Sequence, residues 1–125
     1  VTQCIEATGK RPLAWLADSG WLDARWHLVH ATHSLPQEVD AVAASGAGVV
    51  LCPGTEANLG DGVCDLDGWL AAPTPISIGT DSHVTRAWPQ ELQLLEYGQR
   101  LVKQRRNVAA HATPERSTAA RLFAR

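Results

Sequence analysis

Apolar and polar positions change spacing along the chain, and each change marks an element. The residues from Val1 read as helix. Pro12 opens a short helix with Leu13, Leu16 and Ala17 on one face, and Gly20 stops it. Trp26 to Thr32 reads as a strand. Ser34 stands three before Gln37, a capping-box spacing, with Pro36 in the first turn of the next helix. Leu35, Val39, Val42 and Ala43 form its apolar stripe, and Gly46 is placed to end it. Ala47 to Cys52 is an apolar run, as strands buried on both faces tend to be. PGTEANLGDG, Pro53 to Gly62, reads as a long loop, Asp65 to Ala72 as a short helix, and Pro75 to Thr80 as a third strand. The longest helix is expected from about Pro89 to Arg106, with Trp88, Leu92, Leu95 and Val102 roughly along one side. A last helix is expected from Thr113-Pro114 to Ala124.

Strands alternating with helices imply parallel strands joined by right-handed crossovers. Three such strands leave two unpaired edges. The unit therefore reads as an α/β arc of a larger sheet or of a (β/α)8 barrel, which typically needs about 250 residues. The sequence contains no methionine, begins at Val1 and stops within an amphipathic pattern, so both ends read as cut. The expected organisation is one partial barrel over 1–125, with the barrel segment over about 1–107 and a tail or the start of a C-terminal helix over 108–125.

Composition narrows the function classes. A formal charge of −2 argues against a nucleic-acid footprint. Arg100, Lys103, Arg105 and Arg106 read as a solvated helix C-terminus, where cations suit the dipole. The run Ala41 to Cys52 is too short and too broken by Ser45, Gly46 and Gly48 to cross a bilayer. No charged leader precedes an apolar signal core. Cys4, Cys52 and Cys64 form neither CxxC nor a disulfide framework, so a cytoplasmic setting is expected. Cys52 reads as a small buried hydrophobe.

Candidate chemistry gathers where the strands end, as βα folds require. His30, Thr32 and His33 end the first strand, Thr55 to Gly62 leave the second, and Asp81, Ser82 and His83 leave the third. Side chains of a strand alternate with period two. His27, His30 and His33 therefore cannot chelate one ion from a straight strand, and His27 is expected to meet the outer helices. Asp81 is expected on the face of Ser77 and Gly79, opposite Ile76 and Ile78. Asp81 could bind a divalent metal and take a proton from its water, whose pKa such coordination can lower to about 7. His30 could hydrogen-bond the same water or polarise a substrate. On residues alone, a satisfied core histidine and a turn aspartate are the more usual readings. His83 is placed either to orient Asp81 or to begin the next helix. Glu56 and Asn58 are placed to meet a substrate or to serve the loop's conformation. The tryptophans read as packing residues.

LVHATH, CPGTEANLGDG, GTDSHV and ELQLLEYGQRL, in this order, resemble the C-terminal half of the formimidoylglutamate deiminases, amidohydrolases of histidine degradation. The resemblance runs from about Thr8 to Asn107. It implies strands six to eight of a metal-dependent (β/α)8 barrel holding one zinc. It assigns the eighth-strand metal ligand to Asp81 and the assisting sixth-strand histidine to His30, so His30 and Asp81 are the expected catalytic residues. The implied reaction converts N-formimidoyl-L-glutamate to N-formyl-L-glutamate and ammonia, a small-molecule substrate with no nucleic-acid or membrane partner. A homo-oligomer is compatible with this reading. The sequence has no HxH and no HxxE, where the family carries its other ligands and an acid–base glutamate. The remaining ligands are thus expected upstream, and the segment alone is expected to be inactive. The alternatives are another amidohydrolase deaminase, acting on a nucleobase or cyclic amidine, and a non-catalytic half-barrel that binds or assembles.

Overall fold

A computed structural model of the chain describes residues 1–111 and 117–123. Helices α1 (Thr2–Thr8) and α2 (Pro12–Asp18) lead into strand β1 (His27–Val29). Helix α3 (Pro36–Ser45), strand β2 (Gly48–Leu51), helices α4 (Pro53–Leu59) and α5 (Leu66–Ala71), and strand β3 (Ile76–Ile78) follow. The long α6 (Trp88–Lys103) and the short α7 (Val108–His111) and α8 (Thr118–Phe123) complete the described chain. The helix start expected at Thr113-Pro114 lies outside the described residues.

The three strands form one parallel sheet in the order β1-β2-β3. Leu28 aligns with Val49, and Val49 with Ile76. Val49 and Leu51 belong to the core with Val39 and Val42 of α3, Leu66, Trp69 and Leu70 of α5, and Leu95 of α6, and Leu28, Ile76 and Ile78 pack against it. One face of the sheet is thus covered by helices. The other is open, and His27, Val29 and Ser77 are exposed on it. His27 therefore does not meet the outer helices, because Leu28 takes the helix-facing position. His27 lies instead over Gly48, where an added Cβ would come within 2.9 Å of its Nδ1.

Several boundaries differ from the sequence expectation for physical reasons. β1 ends at Val29 because His30 and Ala31 adopt left-handed φ angles of 68° and 52°. The start of α3 is shifted by one residue: Leu35 is the N-cap, and its N–H donates to Glu38 Oε2 at 2.8 Å, while Ser34 Oγ donates to the Ala31 carbonyl. Gly46 ends α3 in the left-handed region, as expected.

The expected loop Pro53 to Gly62 begins instead with helix α4, started by Pro53 and stopped by Gly60. In α6 the buried line is Glu91, Leu95 and Gln99, four residues apart, so Val102 falls one position off it and is exposed. Buried polar groups need partners, and these have backbone ones. Glu96 accepts from the Val108 and Ala109 N–H groups at 2.9 and 3.0 Å, and Gln99 donates to the Cys64 carbonyl at 2.7 Å. The basic run is pinned as well as solvated. Arg100 pairs with Glu96 at 2.7 Å, and Lys103 and Arg105 both reach Asp67 of α5.

Candidate active site

The site lies at the C-terminal ends of the three strands. The left-handed turn after β1 ends the period-two alternation and swings the His30 imidazole towards the end of β3. There its Nε2 lies 3.5 Å from Asp81 Oδ2. Asp81 itself sits in a turn with φ of 48°. The chain thus brings His30 and Asp81 together across the breadth of the sheet.

Helix α4, between them, holds both. Glu56 is almost wholly buried and its Oε1 lies 3.2 Å from His30 Nδ1. The same oxygen accepts the Cys52 N–H at 2.9 Å, which ties the helix start to the end of β2. Next to it, buried Thr55 straps the Asp81 turn. Its hydroxyl lies 2.8 Å from Ser82 Oγ and 3.2 Å from the Thr80 carbonyl, and it accepts the Ser82 N–H at 3.1 Å. Glu91, fully buried on α6, anchors the first turn of α4 by accepting the Gly54 N–H at 2.6 Å and the Thr85 hydroxyl.

His30, Cys52 and Asp81 each place one ligand atom within 4.8 Å of the others. Cys52 is buried, as expected of a small hydrophobe, at the base of this group. Burial, then the negative charges of Glu56, Asp81 and Glu91, push its thiol up to about 11, so it is neutral at physiological pH. An imidazole nitrogen, as at His30, and a carboxylate oxygen, as at Asp81, are donor types that zinc accepts.

The other sequence candidates stand aside. His33 is exposed, and its carbonyl accepts from Arg11. His83 is exposed with φ of 57° in the turn before α6. It neither begins that helix nor, among the described residues, bonds to Asp81. Asn58 is exposed on α4, and Trp69 fills the core. Trp15 packs edge-on to Trp21, and Trp88 to Phe123. Thr55 was missed, and of Glu56, left open between a substrate contact and the loop's conformation, the contact with His30 was not foreseen. Their signal was the order Cys-Pro-x-x-Glu at a strand end, which starts a helix and turns an acid back to its own N-terminus.

No protein-family profile matches the chain. Among solved structures it superposes on an amidohydrolase from Brucella melitensis with a TM-score of 0.91 and 46% identity, covering 98% of this chain and 27% of that one. It also superposes on an adenosine deaminase from Xanthomonas campestris with bound zinc, with a TM-score of 0.76 and 25% identity, over 99% of this chain and 30% of that one. The chain has the fold of an α/β segment of these amidohydrolase barrels. Its sequence is 50% identical over 107 residues to formimidoylglutamate deiminase of Pseudomonas aeruginosa. That match covers 86% of this chain and 24% of the relative, so the chain spans about a quarter of the curated relative's length. Among the described residues, no helix is long and apolar enough to cross a membrane.

Proposed function

We propose that this segment contributes part of the active site of a zinc-dependent deiminase converting N-formimidoyl-L-glutamate to N-formyl-L-glutamate and ammonia. The observation that carries the reading is the approach of His30 Nε2 to Asp81 Oδ2, 3.5 Å apart. It occurs in a chain half identical to a formimidoylglutamate deiminase. Asp81 would hold the metal through one carboxylate oxygen. The zinc would supply an acidified water. In that setting the Asp81 carboxylate would be placed to accept a proton, and His30 Nε2 would be placed to orient a water or the amidine by a hydrogen bond. Glu56 and Thr55 keep the two groups facing each other. Three further ligands are expected from residues outside this chain, so residues 1–125 alone are expected to release no ammonia.

The test is ammonia release by the complete polypeptide carrying this sequence, offered N-formimidoyl-L-glutamate and, separately, adenosine or guanine. Turnover of the formimidoyl substrate is expected, with a loss of at least about 100-fold in Asp81→Asn, as for a removed acid–base group. Turnover of the nucleoside or nucleobase alone would favour the second reading, which the likeness to the adenosine deaminase supports. A zinc-loaded protein active on neither would leave a binding module.

A further inference from the structure

The geometry assigns Glu56 as a positioning residue that fixes the His30 imidazole with its proton on Nδ1 and its lone pair on Nε2, facing Asp81. The inference rests on the reading of His30 and Asp81 as the reacting pair. It names a residue that acts through His30.

Glu56 Oε1 takes two contacts in a buried setting: the Cys52 N–H at 2.9 Å and His30 Nδ1 at 3.2 Å. An oxygen that accepts a backbone N–H is an acceptor, so Nδ1 must be the donor. A neutral imidazole carries one N–H. In the neutral ring, donation from Nδ1 leaves Nε2 as an acceptor. Across the site, Asp81 Oδ2 is also an acceptor, and the separation of 3.5 Å is too long for a good hydrogen bond between them. Two acceptors side by side are satisfied together by a group rich in donors. A water offers two hydrogens, and an amidinium offers N–H groups in a plane. The pair so arranged suits a water or a substrate bearing N–H groups.

The burial of Glu56 makes this device rigid. Its helix is clamped by Glu91 at Gly54, and its neighbour Thr55 fixes the Asp81 turn. One turn of α4 thus sets both the direction of the imidazole and the place of the carboxylate.

The test uses the complete polypeptide labelled with 15N-histidine. The His30 ring signals are identified by their loss in His30→Gln and read at alkaline pH, with the ring neutral. The wild type is expected to show a protonated Nδ1 and a bare Nε2. Glu56→Ala is expected to abolish that preference and to lower kcat by about 10–100-fold, the usual cost of removing such a partner, with a smaller change in KM. Glu56→Gln keeps an acceptor for both N–H groups and is expected to retain the tautomer and recover most of kcat. A wild-type His30 protonated on Nε2 would overturn the inference. So would a folded Glu56→Ala protein, by circular dichroism, with the wild-type ring spectrum. If the alanine variant does not fold, the wild-type and glutamine spectra still decide. Should the ring depend on Glu56 while the protein hydrolyses no formimidoylglutamate, the positioning stands and the proposed reaction falls. Hydrolysis with a ring indifferent to Glu56 gives the reverse.

Discussion

Replacing Gly54 by alanine sets two known effects against each other. Gly54 lies in the first turn of α4, and inside a helix alanine is favoured over glycine by about 1 kcal/mol. A Cβ at this position, however, would lie 2.5 Å from Glu91 Oε1 and 3.0 Å from Oε2. That carboxylate cannot simply swing into water, because Glu91 is fully buried. It is also held at both oxygens, by the Gly54 N–H at 2.6 Å and by the Thr85 hydroxyl. Hydrogen bonds to a charged group contribute about 1.5–3 kcal/mol each, and a buried carboxylate left short of partners costs more than the bond lost. Losing the two bonds costs about 3–6 kcal/mol, against the gain of about 1 from propensity. The net expectation is destabilisation by about 2–5 kcal/mol, read as a lowered urea midpoint at unchanged slope. Gly60→Ala is the control. It strains a left-handed position in open space and should cost only about 1 kcal/mol. A Gly54→Ala protein as stable as wild type would refute the view that Glu91 clamps α4 by close approach to this backbone.

Other consequences can be measured alongside it. Thr55→Val removes the three bonds that strap the Asp81 turn and should lower stability by about 1–3 kcal/mol and weaken zinc binding, whereas Thr55→Ser should do neither; equal zinc affinity in all three proteins would contradict this. Glu96→Ala strands the buried N–H groups of Val108 and Ala109 and should cost about 2–4 kcal/mol by chemical denaturation, with Glu96→Gln milder. Burial foremost raises Cys64 to about 12 and Cys52 to about 11, against an ordinary 9.0. Unfolding frees these thiols to ionise, so their contribution is complete below pH 9.0 and is lost as pH rises towards those values; a urea midpoint flat from pH 9 to 11 would contradict it. Residues 1–125 alone should self-associate with concentration in the ultracentrifuge, because two strand edges and the face bearing His27 and Val29 are uncovered, and a stable monomer would speak against this.

The parallel strands were legible because Ala47 to Cys52 and Pro75 to Thr80 are apolar or small throughout and are bounded by glycine and proline. The approach of Asp81 to His30 was legible from position, since both end strands of one sheet. What was hidden came from backbone angles and from polar burial. Nothing in LVHATH announces that His30 and Ala31 turn left-handed, so strand alternation placed His27 against the helices, where Leu28 sits. The glycines of PGTEANLGDG suggested a loop, although proline at a helix start is favourable and Glu56 supplies the returning acceptor. In α6, apolarity pointed to Val102, whereas burial followed Glu91, Glu96 and Gln99. Hydrophobicity cannot reveal buried polar residues whose partners, as here, lie 12 or more positions away in the chain.

The account depends most on Asp81 and His30 sharing one metal-centred site. Anomalous diffraction from a crystal of the complete, zinc-loaded polypeptide tests this directly. The expected map places zinc about 2.0–2.2 Å from an Asp81 oxygen, with His30 Nε2 turned to the same centre and Nδ1 on Glu56. Zinc bound elsewhere, or an Asp81 carboxylate directed away from His30, would contradict it.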